Sequence, residues 1–275
     1  MDNFAYVGAS DGLCRPWHRK IQTSMDSVTA EKISGLSSRM SFLIKAKTME
    51  KLLAAYRLLF SEHLIRRIRS SWPGTPEVLV ANFNGVDCFT LADYVEALAR
   101  SDNQKSFLHN LARTRYAAGK VAYLSRRHFF SDWSPQHRVM HRDVTPDISP
   151  DYVVVDKQLN HKPDGGEYIP GLGIHPRKNK LYSRKSHQPA GHEPPKKWDY
   201  IGVYSPLDGL DVLHVGIVVR HDEQVWFGTP PHWPQTEKWW THRLWSTCIP
   251  DRASLCCGLN DKVTTESPAD NSRPT

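Results

Sequence analysis

Cysteine is scarce in this sequence, with five in 275 residues. Cys14, Cys88, Cys248, Cys256 and Cys257 are an odd number, and their spacing fits neither a disulfide framework nor a zinc site. No phosphate-binding loop or cofactor motif occurs either. The sequence therefore predicts neither a disulfide scaffold nor a metal, and no cofactor.

Long apolar runs are missing as well. No stretch is long enough to span a membrane, and the N-terminal MDNFAYVGASDGLCRPWHRK lacks the basic-then-apolar order of a signal peptide. The 39% of apolar residues still suffices for the core of one domain or of two small ones. We therefore expect a globular protein without a membrane span, cytoplasmic as written.

Acidic residues are in the minority, since 29 Asp and Glu stand against 36 Lys and Arg and leave a net charge of +7. Such a charge can indicate a nucleic-acid partner, because clustered cations attract phosphates. The clusters lie in Arg66–Ser71, His175–His187 and Pro194–Trp198, and none of them is a recognisable nucleic-acid motif. A basic nucleic-acid-binding protein is therefore the third interpretation, below two others, and we predict no nucleic-acid partner.

The two halves of the chain differ in their patterns. In the first half, Ser27–Arg39 predicts a helix capped by Ser27 or Thr29, Pro76–Phe83 predicts a short helix or strand, and the stretch from about Asn103 to Ala117 predicts another helix. In the second half, extended runs separated by Pro, Gly and Asp predict strands, at Asp151–Val155, Tyr200–Tyr204 and Val212–Val219. Helices followed by a sheet predict an α+β fold, with His214 in the final strand of that sheet.

One cysteine lies at a position where its thiol could be reactive. Cys88 precedes apolar residues at three- and four-residue intervals, which predicts a helix with Cys88 in its first turn. The N-terminus of a helix favours a thiolate, so Cys88 is a candidate nucleophile. A lone cysteine also often serves as a small buried hydrophobe, and the local pattern alone favours that interpretation.

A histidine more than a hundred residues later could serve as the partner of that cysteine. A thiolate at a helix start and an imidazole on a strand are the arrangement that thiol catalysis needs, because the thiolate attacks a carbonyl carbon while the imidazole moves the proton. His214 lies in the strand DVLHVGIVV. A strand histidine is usually structural, so the spacing alone is weak support.

Five sequence segments, in this order along the chain, resemble a known family: GVDCFTLADYVEAL, TRYAAGKVAYLSRRHFFSDW, DVTPDISP, DGGEYIPGL and DYIGVYSPLDGLDVLHVGI. Together they resemble the bacterial N-acetylmuramoyl-L-alanine amidase-like family, which is related to the NlpC-type cysteine peptidases of the cell wall. The resemblance covers roughly Ser27 to Phe227. It implies a papain-like, NlpC-like α+β fold in which the nucleophile helix packs on an antiparallel sheet.

The resemblance also implies a function and a set of site residues. Cys88 would be the nucleophile and His214 the general base, acting on an amide bond of peptidoglycan stem peptides in the periplasm or cell envelope. Asp87 and Thr90 would set the helix start. The remaining matched polar and aromatic residues are expected to be cleft-wall or scaffold positions, and structural hydrogen bonding is at least as good an explanation for them: Arg126, Arg127, His128, Trp133, Asp143 and Thr145.

Three stretches break the resemblance, at about Ala54–Pro73, His175–Trp198 and Gly228–Thr275. Six of the nine tryptophans and three of the five cysteines fall there. Because the genetic code is degenerate, the codons that could encode each stretch also permit an amino-acid sequence like that of the family in a neighbouring reading frame. This suggests that the three stretches are translated out of frame. We therefore expect a poorly defined segment at 1–26, an amidase-like domain at 27–227, and an irregular, disordered tail at 228–275.

The breaks leave two main interpretations of function. In the first, the chain is a cysteine amidase or peptidase, active or inactivated because the segments that orient His214 are lost. In the second, it is a non-catalytic murein- or peptide-binding relative, or a degenerate product without activity. The sequence gives no oligomeric state and does not identify the murein bond.

Overall fold

The computed structural model describes residues 21–41, 76–133, 141–148, 150–182, 199–221, 224–229, 240–243 and 254–259. For residues 36–41 and from 220 onward, the description covers the backbone alone. The chain divides into two compact units. The first comprises residues 1–127 with 230–239, and the second comprises residues 128–229 with 240–275.

The first unit is mainly helical in its described part. In chain order it contains β1 (Thr23–Met25), α1 (Ser27–Ser41), β2 (Leu79–Ala81), α2 (Cys88–Ala99) and α3 (Gln104–Arg115). Strands β1 and β2 pair in parallel, with Thr23 opposite Leu79. The helices expected around 27–39, 88–99 and 103–117 are therefore present, and the ambiguous segment before Cys88 is a strand.

The cap of α1 differs from the expected Ser27 or Thr29. Asp26 caps this helix, because its Oδ1 accepts a hydrogen bond from the Thr29 backbone N–H at 2.9 Å and its Oδ2 accepts one from the Thr29 hydroxyl at 2.6 Å. A carboxylate has two oxygens and accepts each of these bonds with a separate one, whereas a serine or threonine side chain has a single oxygen. The Thr29 oxygen also accepts from the Phe83 backbone N–H at 2.8 Å, which ties α1 to the segment leading into α2.

Three aromatic rings form the centre of the first unit. Phe83 meets Tyr94 of α2 edge-on with ring centroids 5.0 Å apart, and it meets Phe107 of α3 at 5.8 Å. Leu91 and Val95 on α2 are also buried. Helix α3 begins with a capping box between Asn103 and Ser106, which fixes its first turn.

The second unit contains one short α-helix and two antiparallel sheets in its described part. Its elements in chain order are β3 (His141–Asp143), α4 (Thr145–Ile148), β4 (Val153–Leu159), β5 (His175–Leu181), β6 (Tyr200–Tyr204), β7 (Val212–His221), β8 (Gln224–Thr229), β9 (Trp240–Arg243) and β10 (Ser254–Leu259). Six strands form one sheet in the order β3-β10-β6-β7-β8-β9, and β4 pairs with β5 in the other. Helices and antiparallel sheets together confirm the α+β class.

Both faces of the six-stranded sheet carry apolar contacts. On one face, Ile201 and Val218 pack with Val144, Ile148 and Tyr182. On the other face, the Tyr200 ring meets Trp133 edge-on at 5.0 Å, and Trp133 stacks on His141 at 5.0 Å. These contacts explain why the central strands are buried on both sides.

Two expectations about irregular segments differ from the structure. His175–Leu181 was expected to be irregular but forms β5, which pairs with β4 at seven consecutive positions. Within the expected irregular tail from 228 to 275, Trp240–Arg243 and Ser254–Leu259 form strands, and β10 lies between β3 and β6. Strand pairing uses backbone groups, so a segment without a clear side-chain pattern can still form a strand when a partner edge is present.

The position of His214 in the sheet also differs from the expectation. Its strand β7 was expected to be the last, but β8 continues from it and β9 and β10 follow. The alternation that identified β7 is a local signal and gives no information on how many strands follow. In the described part of the chain, we find no helix with the length and apolar character needed to cross a membrane.

Candidate active site

Cys88 is the first residue of α2, as expected. Asp87 is the N-cap, with φ −98° and ψ 178°, and its Oδ1 accepts from the Thr90 backbone N–H at 2.7 Å. Both residues that the resemblance assigned to the helix start therefore lie there. This cap holds the first turn in helical form and gives Cys88 a fixed backbone position.

The burial of Cys88 bears on the choice between nucleophile and buried hydrophobe. Its side chain is half-buried, whereas the nine residues Leu91–Ala99 are all buried. A cysteine serving as a core residue would be enclosed in the same way as those residues. The environment of Cys88 thus combines partial exposure with a helix N-terminus, and both features favour a reactive thiol.

A buried ion pair connects α2 to its neighbours. Asp93 of α2 accepts a hydrogen bond from Arg115 Nε at 2.7 Å, and both side chains are less than 5% exposed. Arg115 Nη1 also donates to the Val80 carbonyl at 2.7 Å, and its guanidinium lies 5.3 Å from the centre of the Tyr94 ring. One side chain at the end of α3 thereby connects α2, α3 and β2.

Burial and the ion pair together shift the pKa values of both residues. Burial raises the pKa of Asp93, and this outweighs the lowering caused by Arg115. Burial also lowers the pKa of Arg115, but the Asp93 carboxylate, Tyr94 and Tyr116 together more than compensate, and the net pKa lies above its ordinary value. Sequence analysis missed this pair, although a carboxylate within the apolar run LADYVEAL was a signal that it needs a partner.

The arginines at positions 126 and 127 have different surroundings. Arg127 Nη1 donates to three backbone carbonyls at the end of α3, those of Arg113 and Thr114 at 2.7 Å and that of Tyr116 at 3.0 Å. These carbonyls lie at the C-terminus of α3, so Arg127 caps that helix. Arg126 lies 4.0 Å from the Glu77 carboxylate. A substrate contact for either arginine stays a prediction.

His214 lies near the start of β7, directly opposite Val203 of β6, and is half-buried. The pairing of β6 with β7 shifts register between Val203 and Tyr204, because Tyr204 pairs with Val212. Such a bulge inserts one extra residue and changes the direction of nearby side chains. The irregularity therefore lies immediately beside the candidate general base.

The turn that leads into β7 is held by a buried carboxylate. Asp211 accepts hydrogen bonds from the backbone N–H of Ser131 at 2.7 Å and of Val212 at 2.8 Å. Its own carbonyl accepts from the Ser205 N–H at 3.0 Å. Burial raises the pKa of Asp211, and the hydrogen bond from the Ser131 backbone partly opposes this. Sequence analysis did not identify Asp211, since an aspartate in SPLDGLD resembles an ordinary turn residue.

The other predicted site residues of the second unit have structural contacts. Trp133 is buried and stacks on His141. Thr145 is buried at the start of α4, and its N–H donates to Asp143 Oδ1 at 3.0 Å. His128 is half-buried. Their roles at a substrate cleft stay predictions.

The predicted site residues are divided between the two units. The first unit contains Asp87, Cys88, Thr90, Arg126 and Arg127, and the second contains His128, Trp133, Asp143, Thr145 and His214. An approach of Cys88 Sγ to the His214 imidazole at about 3 to 4 Å stays a prediction. Within the described ranges, no group of three or more His, Cys, Asp or Glu side chains is placed to hold a metal ion.

Several solved structures share the fold of this chain. A protein from Legionella pneumophila assigned to the family DUF1460 matches with a TM-score of 0.65 and 17% identity, over 85% of this chain and 97% of that one. An N-acetylmuramoyl-L-alanine amidase from Bacteroides uniformis matches with a TM-score of 0.57 and 22% identity, over 77% and 98%. Another structure of an amidase with that name and organism gives 0.58 and 21%, over 78% and 99%.

No match was found among curated proteins. A family model described as AmiA-like, N-acetylmuramoyl-L-alanine amidase-like, matches residues 67–234, which is more than half of the chain. This match includes both Cys88 and His214. The chain therefore belongs to the N-acetylmuramoyl-L-alanine amidase-like family.

Proposed function

We propose that this protein carries the site of a cysteine amidase or peptidase, on a papain-like, NlpC-related fold, directed at amide bonds of bacterial peptidoglycan stem peptides. The observation that carries the proposal is the position of Cys88, half-buried at the first residue of a capped helix in which Leu91–Ala99 are buried. Membership of the amidase-like family supports the substrate class. Because peptidoglycan lies outside the cytoplasmic membrane, the proposed site of action is the cell envelope.

The proposed reaction proceeds through an acyl-enzyme. His214 accepts the proton of the Cys88 thiol, and the thiolate attacks the amide carbonyl carbon. The resulting tetrahedral intermediate collapses, breaking the C–N bond, and the imidazolium gives its proton to the leaving amine. Water, deprotonated by His214, then hydrolyses the thioester. The positive end of α2 stabilises the thiolate before attack.

A second candidate is a family member with a weakened or lost activity. An imidazole without an orienting partner loses its preferred tautomer, and catalysis can fall by orders of magnitude. The out-of-frame interpretation of three stretches, which would remove the orienting segment, supports the same candidate.

A comparison of two proteins tests both candidates. One is the present chain, and the other carries the three stretches in the neighbouring frame. Each is incubated with purified murein, and the released peptides and sugars are identified by mass spectrometry. We expect little hydrolysis by the present chain, clear hydrolysis by the restored one, and loss of hydrolysis in restored variants with Cys88→Ala or His214→Ala.

A second cysteine provides the control for the thiol. Cys14 lies outside the residues matched by the family model. Cys14→Ala should therefore leave the restored protein as active as before. Equal turnover by the present and the restored chains would contradict the out-of-frame interpretation, and turnover that survives Cys88→Ala would contradict the proposed reaction.

A further inference from the structure

Lys157 of β4 is buried in the second unit although it carries a charge. Its side chain is 2% exposed. Its ammonium donates to the Ser205 carbonyl at 2.6 Å and the Leu207 carbonyl at 2.8 Å, and it lies 4.4 Å from the centre of the Tyr204 ring. Burying an ammonium is costly unless its donors are satisfied, so these contacts make Lys157 a strong and directional link.

The contacts of Lys157 are part of a larger attachment between β4 and the turn Ser205–Asp211. The Asn160 N–H donates to the Gly209 carbonyl at 2.9 Å, and the Gln158 N–H donates to the Asp208 carbonyl at 3.2 Å. A Cβ on Gly209 would lie 1.9 Å from the His161 carbonyl oxygen, so the turn and the segment after β4 are in direct backbone contact. We call this set of contacts the turn clamp.

The clamped turn determines how β7 enters the sheet. It connects β6 directly to β7, and the register shift at Val203 and Tyr204 lies at its edge. Val203 pairs with His214 and Tyr204 pairs with Val212, so Leu213 is the extra residue of the bulge. If the bulge were lost and the register slipped by one residue, alternation would turn the His214 side chain to the opposite face of the sheet.

We propose that Lys157 is a positioning residue for His214, because it holds the turn Ser205–Asp211 and thereby maintains the bulge that sets the direction of the imidazole. This inference rests on the proposed role of His214 as general base. It assigns to the two-stranded sheet β4-β5 a function in the site, although Lys157 has no proposed contact with substrate.

A matched pair of lysines permits a clean test. Lys157→Met removes the ammonium but keeps the length of the side chain. Lys178 on the paired strand β5 forms an exposed ion pair with Asp156 at 2.7 Å, so Lys178→Met removes the same charge from the same sheet without touching the turn. Gly209→Ala displaces the turn by a steric route and leaves Lys157 unchanged.

The readout is the His214 imidazole itself, observed by nitrogen-15 NMR of the side chain and assigned by its loss in His214→Gln. We expect changed imidazole nitrogen shifts in Lys157→Met and Gly209→Ala, and wild-type shifts in Lys178→Met, while the methyl signals of Ile201 and Val218 keep their positions. Where murein hydrolysis is measurable, Lys157→Met should reduce kcat by on the order of tenfold or more with little change in KM.

The outcomes separate this inference from the proposed function. Unchanged His214 shifts in a folded Lys157→Met protein would overturn the inference, even if the enzyme is active. Should Lys157→Met not fold, Gly209→Ala decides in the same way, and a failure of both to fold would make the clamp a stability element and overturn the inference. Changed shifts together with no murein hydrolysis by the restored wild type would support the clamp and contradict the proposed function.

Discussion

At the scale of single residues, the charges buried inside each unit are more informative than those on its surface. Asp93 with Arg115 in the first unit, and Asp211 and Lys157 in the second, are each held by specific hydrogen bonds. A buried charge needs such partners, because leaving it unsatisfied costs several kcal/mol. Two of these groups lie on or beside the elements that carry Cys88 and His214, so their loss should be measurable in stability and geometry.

Arg115→Met should strongly destabilise the first unit. The substitution leaves the Asp93 carboxylate buried without its cation, which typically costs about 3 to 5 kcal/mol of unfolding free energy. Arg113→Met removes a solvent-exposed charge on the other side of the same helix. It should change the free energy of unfolding by less than about 0.5 kcal/mol. Urea unfolding followed by circular dichroism measures both, and equal effects would refute a special role for the pair.

Asp211 should make stability depend on pH. Because burial raises the pKa of Asp211 above its ordinary value of 3.8, the folded state binds its proton more tightly than the unfolded state. The resulting stabilisation is full below the unfolded pKa and is lost as pH rises through the folded pKa. Unfolding free energies of the wild type and Asp211→Asn, measured from about pH 4 to pH 7, should therefore differ in slope, with the steeper decline in the wild type. Parallel curves would contradict the pKa shift.

At the scale of elements, the sequence predicted those with a strong side-chain pattern. The helices α1, α2 and α3 and the strands β6 and β7 follow from apolar periodicity, and their bounds lie within a few residues of the expected ones. Strand β5 could not be predicted in this way, because HPRKNKL contains Pro, Arg and Lys and forms a strand through its pairing with β4. Local pattern is decisive only where no partner strand overrides it.

Two glycines in different elements should respond oppositely to the same substitution. A Cβ on Gly202 of β6 would lie 2.4 Å from Val212 Cγ1 and 2.8 Å from Phe130 Cδ1, so Gly202→Ala should destabilise the fold by roughly 1 to 3 kcal/mol. Gly35 lies within α1 with nothing within 4 Å of the added atom, so Gly35→Ala should stabilise by up to about 1 kcal/mol. Chemical unfolding of the two variants provides the comparison, and destabilisation by both would argue against the packing explanation.

At the scale of the whole molecule, the sequence and the structure identified different features of the site. The order of five blocks identified the family, and the family match over residues 67–234 confirmed it. The residues that hold the helix of Cys88 and the strand of His214 could not be predicted, because Asp93 meets Arg115 across 22 positions and Lys157 meets Ser205 across 48. Such pairings depend on the folded chain and leave no local pattern.

The nucleotide sequence of the locus tests the out-of-frame interpretation. We expect the neighbouring reading frame to contain no stop codon across Ala54–Pro73, His175–Trp198 and the segment from Gly228. We also expect it to encode an amino-acid sequence like that of the family there. The strands β5, β9 and β10 do not decide this, because backbone pairing does not require selected side chains. The interpretation would be contradicted if resequencing reproduces the bases that encode this chain and finds stop codons in the neighbouring frame within these stretches.

The central claim is that Cys88 and His214 act together, and a crystal structure of the protein tests it most directly through one distance. We predict that Cys88 Sγ lies about 3 to 4 Å from a ring nitrogen of His214, or slightly farther without substrate, in a cleft open to solvent. A structure that places the two residues on opposite sides of the protein, or that encloses Cys88 beneath apolar side chains away from any cleft, would contradict the account.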